Sequence, residues 1–157
     1  MAQPWKTIER IATDEGKLEL RQRGERDFLI MIGSQVLMNS LANRSEVVLG
    51  RLGCGHLKES DSPRVLVGGL GMGFTLKAVL DTLPATAQVV VAELNPTVVA
   101  WCRGPLAALT EKAVDDPRVT VEICDVAHRI RQSAKNGGES CFDAIILDLY
   151  RGPHAKT

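Results

Sequence analysis

The sequence predicts an α/β protein: a doubly wound parallel sheet over residues 63–157, preceded by a small β-rich region over 1–62. Three observations predict it. After Pro63, four short apolar segments rich in β-branched residues alternate with segments whose apolar residues recur at helical spacing. Near-continuous apolar strands between helices are the pattern of a parallel sheet covered on both faces. Between the first such strand and its helix lies a glycine run, Gly68-Gly69-Leu70-Gly71-Met72-Gly73. Before residue 58 the pattern differs: Leu18–Arg23 alternates apolar with polar or charged side chains, and Phe28–Ile32 is apolar. Gly33-Ser34 then turns the chain into Gln35–Asn39, so residues 27–39 read as a hairpin.

The elements follow in order. Asn43-Arg-Ser-Glu46 fits a capping box that opens a helix from Glu46 to about Leu52, stopped by Gly53. Lys58–Pro63 is polar, ends in proline and reads as a linker. Residues 64–67 form the first parallel strand. Residues 74–83 follow as a helix, with apolar side chains at 74, 76, 79, 80 and 83 on one face. Residues 89–92 are the second strand. Asn95 before Pro96 supplies an N-cap and a first-turn proline for a helix running to about Leu109. A strand at 119–123, a helix at 126–134 and a strand at 144–149 complete the series. Right-handed crossovers sort the helices onto the two faces of the sheet.

Composition excludes several classes of function. Nineteen basic and nineteen acidic side chains cancel, a poor footprint for nucleic acid, whose binding rests on phosphate neutralisation. Two Trp, one Tyr and three Phe are too few for a base-stacking platform. No apolar run approaches the roughly 20 residues of a bilayer span, and the first residues lack an apolar stretch of signal-peptide length. A soluble cytoplasmic protein with no membrane or nucleic-acid partner is expected. Cys54, Cys102, Cys124 and Cys141 are far apart with no C-x-x-C pair, so reduced thiols are expected and no metal site.

In an open parallel sheet, ligands bind outside the carboxyl ends of the strands, and each predicted strand ends on a candidate. Gly69, Gly71 and Gly73 follow the first and lead into a helix, a turn through which a ligand can approach main-chain N–H groups. Glu93, twenty residues past Gly73, follows the second. A carboxylate there accepts both hydroxyls of a ribose. Asp125 follows the third, where it can take the exocyclic amine of adenine, cap the next helix, or do both. Asp148 follows the fourth, as a base, an amine anchor or a turn acid. A dinucleotide site shows G-x-G-x-x-G; here the corresponding position is Phe74. The spacing therefore disfavours NAD, and Asp125 with Asp148 favours S-adenosylmethionine.

The segments RVLVGGLGMGFTLKAVL, VVVAELNPTVV, Cys124-Asp125 and FDAIILDLYRGP resemble the core of the spermidine synthase family, aminopropyltransferases with the class I S-adenosylmethionine-dependent methyltransferase fold. The segment 27–39 with Glu46 is similar to the β-rich domain that precedes that core. The resemblance implies that Gly69, Gly71 and Gly73 border the methionine-like part of S-adenosylmethionine or its decarboxylated form. It implies further that Glu93 holds the ribose, that Asp125 faces the adenine, and that Asp148 is catalytic, matching the first of two acids that grip and deprotonate the polyamine.

Two positions depart from the family pattern. Met72 stands where the family's glycine loop has an aspartate for the amine end of the cofactor. Arg151 stands where the strand-four motif has a second acid for the polyamine, and a guanidinium there suits an anionic group instead. Family members also continue with a helix and further strands, whereas this sequence ends eight residues after Leu149. The resemblance is thus to a family member shortened at its C-terminus, with the fourth strand as an exposed apolar edge and a homodimer to cover it. Two readings of function stay open. One is a transferase moving a methyl or aminopropyl group to a small molecule. The other is a catalytically inactive homologue that binds a nucleoside or serves structurally.

Overall fold

The computed structural model describes residues 3–135 and 141–150. The described residues form two compact units, 3–43 with Tyr150 and those within 44–149. The sequence placed the first helix with the N-terminal region; in the structure it packs on the second helix and goes with the parallel sheet.

The first unit is an antiparallel sheet of four strands in the order β1-β2-β3-β4: β1 (Lys6–Thr13), β2 (Gly16–Arg23), β3 (Asp27–Ile32) and β4 (Gln35–Asn39). The β3–β4 hairpin matches the expected 27–39. β1 was not anticipated. It is an edge strand exposed along most of its length, so both faces carry polar residues and the period-2 signal is lost. Register puts Leu18 opposite Ile32 and Leu20 opposite Ile30, and these four with Phe28 are buried on one face. Glu19 points to the other face, directly across from Arg10 and two residues from Arg21. Its carboxylate accepts from Arg10 Nε at 2.6 Å and Arg21 Nε at 2.9 Å.

Hydrogen bonds from Arg21 and then Arg10 hold the Glu19 pKa below the usual glutamate range. A lowered folded-state pKa contributes stability that is present above the unfolded value, about 4.3, and lost as pH falls through the folded value. Glu19→Gln is therefore expected to lower stability at neutral pH and to flatten its decline below about pH 4.3. Chemical denaturation at a series of pH values checks this; parallel acid limbs for the two proteins would refute it.

The second unit opens with α1 (Arg44–Cys54) and contains a four-stranded parallel sheet in the order β7-β6-β5-β8. Its strands are β5 (Arg64–Gly68), β6 (Gln88–Glu93), β7 (Val119–Ile123) and β8 (Ala144–Leu147), and its other helices are α2 (Phe74–Thr82), α3 (Pro96–Arg103) and α4 (Val126–Lys135). The chain steps from β5 to β6 to β7, then returns to lay β8 on the far side of β5. That reversal is the topological switch point.

Alternation along the strands assigns the two faces. Leu66 and Ala92 pack with Val126 of α4, and a Cβ on Gly68 would meet Val126 at 2.7 Å. On the opposite face Ile146 lies under α1, where a Cβ on Gly53 would meet its side chain at 2.9 Å. Gly50 brings α1 equally close to α2, since a Cβ there would meet Ala78 at 2.7 Å and the Thr75 carbonyl at 2.8 Å. Gly53 does not stop the helix, which runs from Arg44 through it to Cys54; its role is tertiary, letting two layers touch.

Asn95 caps α3 as expected, its side chain accepting from Thr97 N–H at 2.9 Å with Pro96 in the first turn. The helix ends at Arg103 and not near Leu109. Pro105 disfavours helical geometry at Gly104, and the chain continues through 3-10 turns at Ala107–Leu109 and Ala113–Asp115. β8 ends at Leu147, two residues short of the expected limit.

Candidate functional site

The carboxyl ends of β5, β6, β7 and β8 carry the glycine loop, Glu93, Asp125 and Asp148 on one rim of the sheet. The glycine loop turns there because its backbone takes a conformation L side chains resist. Gly69, Gly71 and Gly73 have φ values of +86°, +54° and +86°, in the left-handed region that glycine enters without steric cost. Gly73 is the N-cap of α2.

Glu93 is buried. One carboxylate oxygen accepts the Leu70 N–H of the glycine loop at 2.8 Å, and the other accepts the Asn95 N–H at 2.8 Å. A carboxylate offers about four acceptor positions. The two amides leave one on each oxygen, the number a vicinal diol needs. Glu93 therefore ties the loop to the end of β6 and keeps one acceptor position on each oxygen.

Asp125 lies on the neighbouring strand end: Glu93 pairs with Ile123, and Cys124 N–H donates to the Glu93 carbonyl at 3.1 Å. Its carboxylate accepts the His128 N–H at 2.9 Å, capping α4, and the residue is exposed. The capping role that the sequence offered is present in the structure. Leu94 and Ile123, next to Glu93 and two residues before Asp125, are both exposed.

Asp148 is half-buried. Its N–H donates to the Gly68 carbonyl at 2.8 Å, and its own carbonyl packs against Gly69. Its Oδ2 accepts from the Thr75 hydroxyl at 2.7 Å. Met72 is fully buried and so offers no polar contact at the rim. Arg151 lies outside the described residues.

Two residues at this site were not singled out from sequence. Thr75 sits in α2, where only the apolar positions were read, and its partner is 73 positions away. Cys102, on α3, is buried and its Sγ–H donates to the Gly71 carbonyl at 3.3 Å. Burial, with the Glu93 charge adding to it, pushes the thiol pKa up to about 12, so Cys102 is a protonated donor under the loop. Neither has a local signal, because each contact spans two elements. A surface recess of about 340 Å³ lined by Ala85, Gln88, Pro117, Arg118 and Thr120 lies at the amino ends of the strands, away from these groups. Among the described residues no group of His, Cys, Asp and Glu could hold a metal ion, and no helix is long and apolar enough to cross a membrane.

No family model matches the chain. It is similar to the polyamine aminopropyltransferase of Mycobacterium tuberculosis (strain H37Rv), 37% identical over 91 residues that cover 57% of this chain and 17% of that enzyme. It is also similar to the polyamine aminopropyltransferase of Synechococcus sp., 35% identical over 86 residues, 55% of this chain and 26% of that enzyme. Among solved structures it resembles spermidine synthase from Thermotoga maritima with a TM-score of 0.73 and 20% identity, over 91% of this chain and 46% of that one. A spermidine synthase in complex with the transition state analogue AdoDATO matches with the same TM-score and identity, over 91% of this chain and 47% of its own. The chain is thus spermidine synthase-like in fold, and it spans about a fifth of the curated relatives' length and about half that of the solved structures.

Proposed function

We propose that this chain binds the adenosyl group of S-adenosylmethionine or its decarboxylated form at the rim formed by Gly69, Gly71, Gly73, Glu93 and Asp125, and acts as a transferase toward a small molecule. The observation that carries this reading is Glu93, buried beside the glycine loop with one acceptor position left on each oxygen. The bound sulfonium would supply an activated carbon. The residues here would do the rest: Glu93 and Asp125 hold ribose and adenine, the loop admits the tail, and Asp148 anchors a cationic amine, that of the tail or of the incoming substrate, or serves as the base. Such chemistry asks a protein mainly for positioning and a base.

The same reading keeps a cytoplasmic location, which suits four free cysteines. It also keeps a homodimer, which would cover the exposed apolar side chains Ile145 and Leu147 of β8. A nucleoside-binding homologue without turnover is the second reading, favoured by the burial of Met72 where the resembling family carries an aspartate.

A thermal-shift panel of S-adenosylmethionine, decarboxylated S-adenosylmethionine, methylthioadenosine and NAD tests binding. A ligand at a hundredfold excess over its dissociation constant stabilises by about 2.7 kcal/mol, or about 5–10 °C for a chain of this size. An adenosyl thioether or sulfonium is expected to give that shift and NAD none. Glu93→Ala, checked for native circular dichroism, is expected to weaken binding tenfold or more. No shift with any adenosyl ligand sinks the proposal.

A further inference from the structure

Asp148 has its backbone held from two sides, and its side chain is held by one group. Thr75 is the second residue of α2 and is 1% exposed. Its hydroxyl has a single proton to give, and two acceptors lie within reach: Asp148 Oδ2 at 2.7 Å and the Glu46 carbonyl at 3.5 Å. The second distance is at the limit for a hydroxyl donor, so the proton goes to Asp148. Among the described residues, Asp148 Oδ1 has no hydrogen-bond partner. The bond crosses the switch point from the first turn of α2, beside the glycine loop, to the end of β8.

We infer that Thr75 is a positioning residue: its hydroxyl pins one oxygen of Asp148 so that the other faces the rim and receives a cationic amine on a ligand. This deepens the proposed function and rests on it. The cause is entropic as much as electrostatic. An aspartate at a strand end has two side-chain torsions to fix, and a buried β-branched donor with a restricted χ1 fixes them in advance. A carboxylate placed this way recognises an ammonium group and not the nucleoside, so Thr75 should affect ligands by their tails.

That selectivity is the test. Affinities of decarboxylated S-adenosylmethionine, which carries an aminopropyl ammonium, and of methylthioadenosine, which lacks it, are measured by calorimetry for the wild-type chain, Thr75→Val and Thr75→Ser. The wild-type chain is expected to prefer the aminopropyl ligand. Thr75→Val should cut that preference fivefold or more while methylthioadenosine affinity stays within twofold, and Thr75→Ser should restore it. In an Asp148→Asn background, Thr75→Val should change the preference no further. If the valine crowds the helix and the variant unfolds, Thr75→Ala gives the same readout with less bulk. Equal weakening of both ligands, or no change in either, overturns the inference while leaving nucleoside binding standing. A wild-type chain that binds neither ligand overturns both.

Discussion

Gly69→Ala is expected to lower the melting temperature by about 6–12 °C, from a loss of about 3 kcal/mol. Two costs add. At φ +86° a Cβ is strained by about 1–2 kcal/mol. That Cβ would also stand 2.2 Å from the Asp148 carbonyl oxygen, far inside van der Waals contact, and the obstacle is backbone. The end of β8 must therefore move, or the loop must. Moving β8 breaks the Asp148 N–H bond to Gly68 and carries the carboxylate off Thr75, so any preference for a ligand with a cationic tail should fall as well. Gly55→Ala is the matched control. A Cβ there meets nothing within 4 Å and the residue opens a 3-10 turn, so its melting temperature should move by under 2 °C. Circular dichroism melts of the three proteins check the pair. A Gly69→Ala protein that melts with the wild type would show that the loop relaxes freely.

Arg118→Ala is expected to cost about 2–3 kcal/mol, about 4–12 °C in melting temperature, through a different mechanism. One guanidinium joins three segments. Its Nε and Nη2 each donate to Asp116 at 2.9 Å, and its Nη1 faces the carbonyls of Leu80 at 2.9 Å, Leu83 at 3.2 Å and Pro84 at 3.4 Å. Those carbonyls close α2 and open the turn into β6, where the last helical acceptors have no partner of their own. Truncation removes this donor from the Leu80 and Leu83 carbonyls, while Pro84 keeps the Ala87 N–H at 3.1 Å and Asp116 keeps the backbone N–H of residue 118 at 2.9 Å. Arg118→Lys keeps the charge but loses the planar fork, and should recover less than half of the loss. The pair Arg103–Asp115 makes the contrast: both side chains are about half exposed, so Arg103→Ala should cost under about 1 kcal/mol. The Arg118 hydrogen bonds also hold the Asp116 pKa below the usual range. That stability is present above the ordinary aspartate pKa, about 3.9, and is lost as pH falls through the lowered value. Arg118→Ala should therefore be less acid-sensitive than the wild type as well as weaker. Urea denaturation at pH 7 and pH 3 measures both effects.

The strands and helices of the parallel sheet were legible because their causes are local. Apolar runs between helical faces, three glycines in a turn and Asn95-Pro96 act on the residues beside them, so element order and the rim at the strand ends followed directly. Where local signals compete the reading slipped. The α3 boundary moved because Gly104-Pro105 ends a helix whose apolar pattern continues, and β1 was missed because an exposed edge carries polar residues on both faces. Glu19 lay in plain view within an alternating strand, yet its burial depends on Arg10 in the neighbouring strand.

What the chain alone determined is therefore the class of fold and the residue types offered at each strand end: glycines able to turn left-handed, and three carboxylates. What only the tertiary structure decided is how those groups are held. Glu93 spends half its acceptors on backbone amides, Asp148 is gripped from a helix 73 positions away, and Arg118 closes a helix 35 to 38 positions earlier. Hydrogen bonds act over about 3 Å of space without regard to sequence distance. Their partners become visible only once packing has brought them together.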